Sequence, residues 1–174
     1  MTASLILGGI RSGKSRFAEQ LAATSQLPVT YVATAEAIKN DDAWQTRIQR
    51  HRDRRPTDWR CIEEPIDLAS VIVAHRDDSV CLLIDCLSVW MSNLLLRDDD
   101  ALMRQQQARL LDAVTRYRGE LLMVSAESNM GVIPMGDLTR RYCDYIGELH
   151  QQLAAHCHKV VMIHAGLPLY LKGE

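Results

Sequence analysis

The sequence predicts an α/β fold, a mostly parallel central sheet flanked by helices, and two observations carry that prediction. Short apolar runs of strand length alternate with longer stretches of helical periodicity, which is the pattern of consecutive βα units. A glycine-rich stretch, Gly8–Ser15, also sits between the first apolar run and the first helical stretch. The strand candidates are Ser4–Leu7, Val29–Ala33, Val80–Ile84, Leu121–Ser125 and Lys159–His164, with a weaker one at Arg60–Glu63. All of the stronger candidates except Val29–Ala33 read as continuous apolar runs, as strands covered on both faces do. Helices are expected over Gly13–Ala23, Asp41–Arg55, Asp67–His75, Leu87–Leu96, Asp100–Tyr117 and Asp137–Cys157. In the last, Leu138, Tyr142, Ile146, Leu149 and Leu153 recur at helical spacing and define one apolar face. No repeat or linker interrupts the chain, so residues 1–174 are expected to form a single domain.

Composition narrows the function classes. The chain has 174 residues, 47% hydrophobic and 24% charged, which excludes a disordered scaffold. At this length roughly 70% of the unfolded surface can be buried without staples. Aromatics are only 5%, so aliphatic side chains must fill the core. A net charge of -2 argues against nucleic-acid binding through a global field, and any affinity for phosphate must come from a local patch. The five cysteines, Cys61, Cys81, Cys86, Cys143 and Cys157, include no CxxC pair. They read as reduced thiols of a cytoplasmic protein, mostly small apolar fillers. The apolar run Val80–Leu96 is broken by Asp85, Ser88, Ser92 and Asn93, so no membrane span is expected. The first apolar run has no basic segment before it and stops at Gly8-Gly9, which is unlike a signal peptide.

Gly8-Gly9-Ile10-Arg11-Ser12-Gly13-Lys14-Ser15 fits G-x-x-x-x-G-K-[ST], after a strand and opening a helix. This predicts a single P-loop nucleoside-triphosphate-binding domain. Glycines let backbone N–H groups converge on phosphate oxygens, and the helix N-terminus adds partial positive charge. Lys14 is placed to reach the β and γ phosphates, and the Ser15 hydroxyl to ligate Mg²⁺. The competing reading is a glycine-rich turn that binds nothing. A metal partner is expected at the end of a neighbouring apolar strand, where Asp85 follows Cys81–Ile84; Asp85 could equally cap the next helix.

The segment from Thr46 to Pro56 packs five arginines around His51. At helical spacing Arg47, His51 and either Arg54 or Arg55 share a face, and Pro56 is expected to end the helix. A solvated charged helix is one reading. The other is a phosphate clamp, since arginine grips phosphate oxygens in bidentate fashion. A histidine among cations should keep a depressed pKa and a nucleophilic neutral imidazole, as attack on phosphorus requires.

Taken together, the sequence resembles the bifunctional adenosylcobinamide kinase/adenosylcobinamide-phosphate guanylyltransferases of cobalamin biosynthesis. The matching pieces are the Gly8–Ser15 loop, Tyr31-Val32-Ala33-Thr34-Ala35, Arg47–His51 running into Arg55-Pro56 and Trp59, and Glu63-Glu64-Pro65. Leu83–Ser88, Ser92-Asn93-Leu94-Leu95 and Ala165-Gly166-Leu167-Pro168-Leu169 complete the series in the family's order. The resemblance implies a homotrimeric P-loop enzyme that phosphorylates the cobinamide hydroxyl and then transfers GMP from GTP onto that phosphate. It implies a GMP–histidine intermediate at His51, with Lys14 also catalytic and Mg²⁺ as cofactor. Nucleotide contacts, GTP or ATP, would map to Gly8, Gly9, Ile10, Arg11, Ser12, Gly13, Lys14 and Ser15, and to Ala33, Thr34 and Ala35. They would continue through Arg52, Asp53, Arg54 and Arg55 to Glu63 and Asp85. There is one departure from the family's Asn-Glu-Val-Gly-x-Gly-Ile-Val-Pro. This chain has Ala126-Glu127-Ser128-Asn129-Met130-Gly131-Val132-Ile133-Pro134, where Asn129 can adopt the left-handed geometry of the missing glycine at some cost.

The remaining polar residues suggest less. His150, His156, Cys157 and His158 lack metal-site spacing and read as a wet helix end. Asp144-Tyr145-Ile146-Gly147 matches D-x-x-G only inside a helical repeat. His164 reads equally as a buried strand residue or a site residue, and Trp90 and Met91 as core or subunit contact. The alternative function is a P-loop small-molecule kinase without a covalent nucleotidyl intermediate. A GTP switch would need an Asn-Lys-x-Asp guanine reader, which the sequence lacks, and an RNA- or DNA-binding module would rely on the arginine helix alone.

Overall fold

The structure is a computed structural model that describes residues 2–36, 41–53, 55–76 and 79–173; the side chains of residues 44, 47, 50 and 51 lie outside that description. Its strands are β1 (Thr2–Gly8), β2 (Val29–Ala33), β3 (Arg60–Glu63), β4 (Cys81–Asp85), β5 (Glu120–Ala126), β6 (Lys159–His164) and β7 (Leu167–Lys172). The helices are α1 (Lys14–Thr24), α2 (Asp42–Asp53), α3 (Leu68–Ala74), α4 (Leu87–Leu95), α5 (Asp100–Arg116) and α6 (Asp137–His156). One 7-stranded sheet runs in the order β3-β2-β4-β5-β1-β6-β7. Every neighbouring pair is parallel except β6–β7.

Continuous burial along β1, β4 and β5 follows from helices on both faces. On one face Leu5, Leu7, Leu82, Ile84, Leu121 and Met123 pack with apolar residues of α3, α4, α5 and α6. On the other, Ile6, Leu83, Leu122 and Val124 meet Ala18 and Ala22 of α1. The chain therefore leaves β1 toward one face and leaves β4 and β5 toward the other. The β1–β5 boundary is a topological switch point, and the crevice at the carboxyl ends of such strands is where ligands bind in open α/β sheets.

Three expectations change. The apolar face of α6 is buried at Ile146, Leu149 and Leu153, whereas Leu138, in the first turn of the helix, is 50% exposed. His164 at the end of β6 is exposed. The strand β7 was not anticipated. It returns antiparallel through a tight turn in which Ala165 (φ 51) and Gly166 (φ 82) both take positive φ, the geometry of a two-residue hairpin. Pro168 is tolerated because β7 is an edge strand. Trp90 and Met91 are fully buried in the core.

Candidate active site

The carboxyl end of β1 opens into the glycine-rich loop. Ser12 N–H donates to Gly9 O at 3.2 Å, closing a turn. Arg11 (φ 57) and Gly13 (φ 100) adopt left-handed geometry, and Gly13 is the N-cap from which α1 starts at Lys14. A side chain at Gly13 would place its Cβ 3.3 Å from Gly166 Cα, so the β6–β7 turn packs directly against the loop. That turn also donates Gly166 N–H to Ser12 O at 2.8 Å. Lys14 is only 8% exposed, and its Nζ donates to Gly9 O at 3.2 Å. Ser12 Oγ is buried with no hydrogen-bond partner among the described residues.

A cleft of about 180 Å³ runs from this loop across the ends of β4 and β2. Lys14, Ser15 and Ile10 of the loop line it together with Asp85, and so do Ala33, Thr34 and Ala35. Arg52, Arg55 and Glu63 line the same cavity. Most of the nucleotide contacts expected from sequence thus share one cavity. Gly8, Gly9, Arg11, Ser12 and Gly13 form the loop without lining that cavity. Asp53 stands apart: it accepts from Gln49 Nε2 at 2.6 Å on its own helix. Arg54 and the side chain of His51 lie outside the described residues. Position 51 itself is in α2, beside Arg52 and between Ile48 and Arg55, which line the cleft.

Asp85 is not the cap of the following helix; the N-cap of α4 is Cys86. Asp85 Oδ2 instead accepts from the Tyr31 hydroxyl at 2.9 Å. Burial first, and then the Asp85 charge, push the Tyr31 pKa far upward, so the phenol remains a donor. Arg55 lies over the Tyr31 ring, 3.7 Å from guanidinium carbon to centroid, a cation–π contact. Its Nη1 donates to Cys61 Sγ at 3.1 Å, while its Nε is buried without a partner among the described residues. Arg52 Nη2 and Glu63 Oε1 are ion-paired. The wall of the cleft is pinned from behind: Asn93 Nδ2 donates to Thr34 O at 2.7 Å and to Pro65 O at 3.1 Å. Thr34 Oγ1 in turn bonds Cys86 O and Cys86 N–H.

The donor set that shares the cavity with Lys14 fits Mg²⁺. That ion keeps several waters and takes one carboxylate or hydroxyl alongside substrate phosphates rather than a protein cage. Ser15 and Asp85 face the same cavity, and no cluster of three or more ligating side chains occurs among the described residues.

A family model described as cobinamide kinase / cobinamide phosphate guanyltransferase matches residues 4–171. The chain belongs to that family. It is 48% identical over 170 residues to the bifunctional adenosylcobalamin biosynthesis protein CobP of Pseudomonas aeruginosa, covering 98% of this chain and 97% of that one. It is 33% identical over 181 residues to the bifunctional adenosylcobalamin biosynthesis protein CobU of Escherichia coli K12, covering 97% and 98%. The fold is shared with an ATPase from the type III secretion system of pathogenic bacteria, at TM-score 0.58 and 10% identity over 97% of this chain and 56% of that one. A Pyrococcus horikoshii OT3 protein matches at TM-score 0.53 and 10% identity, over 99% and 86%. The fold shared with these structures is a mostly parallel sheet flanked by helices, as the sequence predicts. Among the described residues no helix is long and apolar enough to cross a membrane.

The sequence missed Tyr31 as a site residue, although its own strand was found. It also missed His150, which is no wet helix end. His150 is 7% exposed, and its Nε2 lies 2.7 Å from Ser125 Oγ. Its place between Ile146 and Leu153 on the apolar face of α6 was the available signal. Asn129 does not take left-handed geometry; the non-glycine residues with positive φ among those described are Arg11, Asp98 and Ala165. Its side chain acts instead, with Nδ2 donating to Cys143 O at 3.0 Å.

Proposed function

We propose that this chain phosphorylates adenosylcobinamide with a nucleoside triphosphate. It then transfers GMP from GTP to adenosylcobinamide phosphate through a GMP–histidine intermediate at His51, giving adenosylcobinamide-GDP. The observation that carries this reading is a single cleft lined by two chemically distinct sets of groups. One set is Lys14 and Ser15 of the phosphate loop with Asp85; the other is Arg52 and Arg55, which follow His51 in the chain. The family match supplies the substrate class.

In the first reaction Lys14 and the loop N–H groups hold the β and γ phosphates, and Ser15 and Asp85 would hold Mg²⁺. When bound, that ion neutralises phosphate charge and fixes the triphosphate. In the second, a neutral His51 nitrogen attacks the α-phosphorus of GTP. A P–N bond forms, the bond from that phosphorus to its bridging oxygen breaks, and pyrophosphate leaves. The phosphate of adenosylcobinamide phosphate then attacks the same phosphorus and releases the histidine. Arg52 and Arg55 offset the developing charge, and Glu63 contacts the nucleotide, as do Ala33, Thr34, Ala35 and Arg54. A homotrimer is part of this reading, supported by the exposed apolar strand β7, where Leu167, Leu169 and Leu171 are 71%, 60% and 57% exposed.

The test is incubation with GTP labelled at the α-phosphate. Wild type should acquire an acid-labile, protein-bound label that His51→Ala lacks; an unlabelled wild type returns the chain to a simple P-loop kinase.

A further inference from the structure

The first reaction needs a group to take the proton of the attacking alcohol, and none of the residues assigned above does so. Asp85 accepts from Tyr31, Glu63 is paired with Arg52, and Glu64 Oε1 accepts from the N–H groups of Ile66 and Asp67. A further carboxylate stands at the switch point itself. Glu127 follows β5, and its N–H donates to Gly8 O, the first residue of the phosphate loop, at 3.0 Å. The chain then turns so that Asn129 N–H donates to Glu127 Oε1 at 2.7 Å. Oε2 lies 3.7 Å from His150 Nδ1, with the two side chains 14% and 8% exposed.

His150 is built to serve that carboxylate. Its Nδ1 is buried and has no hydrogen-bond partner among the described residues, and its Nε2 meets Ser125 Oγ. Assigned from this network, the tautomer that accepts the Ser125 hydroxyl at Nε2 carries its proton on Nδ1, on the side of Glu127. A separation of 3.7 Å is longer than a hydrogen bond. The imidazole therefore lies beside Oε2 without taking it up in a hydrogen bond, and the backbone of Glu127, bonded to Gly8 O, follows directly on Ala126, which lines the cleft.

We infer that Glu127 is the general base of the phosphoryl transfer and that His150, locked by Ser125, is its positioning residue. The alcohol oxygen forms a bond to the γ-phosphorus as the bond from that phosphorus to the β–γ bridging oxygen breaks. The nucleoside diphosphate leaves against Lys14, the hydroxyl proton passes to Glu127, and water later removes it. The second reaction, whose nucleophiles are an imidazole and a phosphate oxygen, has no use for this base. The inference rests on the proposed function, and that asymmetry makes it separable.

The test runs Glu127→Gln, Glu127→Asp and His150→Gln in the full chain, with ATP and adenosylcobinamide for one assay and α-labelled GTP for the other. Glu127→Gln should lower kcat for phosphorylation by about 100-fold or more, with KM for adenosylcobinamide and the yield of labelled protein unchanged. Glu127→Asp should recover at least a tenth of the wild-type kcat, and His150→Gln should lower kcat without moving KM. A Glu127→Gln enzyme with wild-type kcat overturns the inference, as does one that loses phosphorylation and labelling together. Equal losses in the Gln and Asp variants overturn it too. A wild-type chain that leaves adenosylcobinamide unphosphorylated overturns the functional reading instead.

Discussion

Tyr31 bears on two parts of the cleft at once, because its ring receives Arg55 and its hydroxyl serves Asp85. Removing only the oxygen separates the two. Tyr31→Phe keeps the stacking face and deprives Asp85 of a donor, a change behind the proposed metal ligand, and changes of that kind typically weaken metal affinity by about 10-fold or more. Isothermal titration should show ATP binding weakened in the presence of Mg²⁺ and unchanged without it; equal weakening in both would assign Tyr31 to packing alone. His150 makes a different prediction, in protons. Burial lowers its pKa below the ordinary 6.5, against an opposing pull from Glu127. Below pH 6.5 the unfolded chain then binds a proton that the folded chain refuses. Stability falls with pH until the folded pKa is passed, and then levels off. The urea midpoint of wild type should drop through that window, and His150→Gln should flatten the drop.

Between elements, small contacts decide position. Asn129 reaches α6 because position 147 is glycine: a Cβ there would stand 2.5 Å from Asn129 Nδ2. Gly147→Ala should therefore evict the amide and release its bond to Cys143 O, loosening the loop that aims Glu127. In an Asn129→Gly background the same substitution meets open space and should stabilise α6 by up to about 1 kcal/mol. A double-mutant cycle in urea tests this, and additive effects would refute the contact. The same dependence on long-range contact separates what was legible in the sequence from what was not. β1, α1 and the loop between them are local, with motif, cap and apolar run adjacent, and they were read to within a residue or two. Asp85 was legible as a cleft residue because it follows directly on the apolar run Cys81–Ile84. Tyr31 escaped because its partner Asp85 lies on another strand, 54 residues away. Ser125 and His150 meet only once β5 and α6 have packed, 25 residues apart. β7 carries no buried run: its leucines alternate at Leu167, Leu169 and Leu171 around Pro168, but every residue of the strand is exposed, so the run lacks the continuous apolar pattern of the inner strands.

At the scale of the whole molecule, the sheet ends at β7 with an unpaired edge of backbone among the described residues and apolar side chains in solvent. Edges of this kind recruit a partner or are blunted by charge. Leu167 and Leu169 share a face of the strand, and Tyr170 is also 45% exposed. The strand begins at the turn that holds the phosphate loop, since Gly166 N–H bonds Ser12 O. A second copy seated on β7 would consequently clamp this turn, and assembly would tighten the loop. Leu169→Glu combined with Leu171→Glu places two charges on the edge and should give a species with the sedimentation coefficient of a single chain, where wild type sediments faster. The same variant should bind ATP several-fold more weakly, about 1 kcal/mol in the standard relation of affinity to free energy. If the charged variant sediments like wild type, β7 is not the assembly surface. If it dissociates and binds ATP unchanged, the turn holds the loop without help from a neighbouring chain.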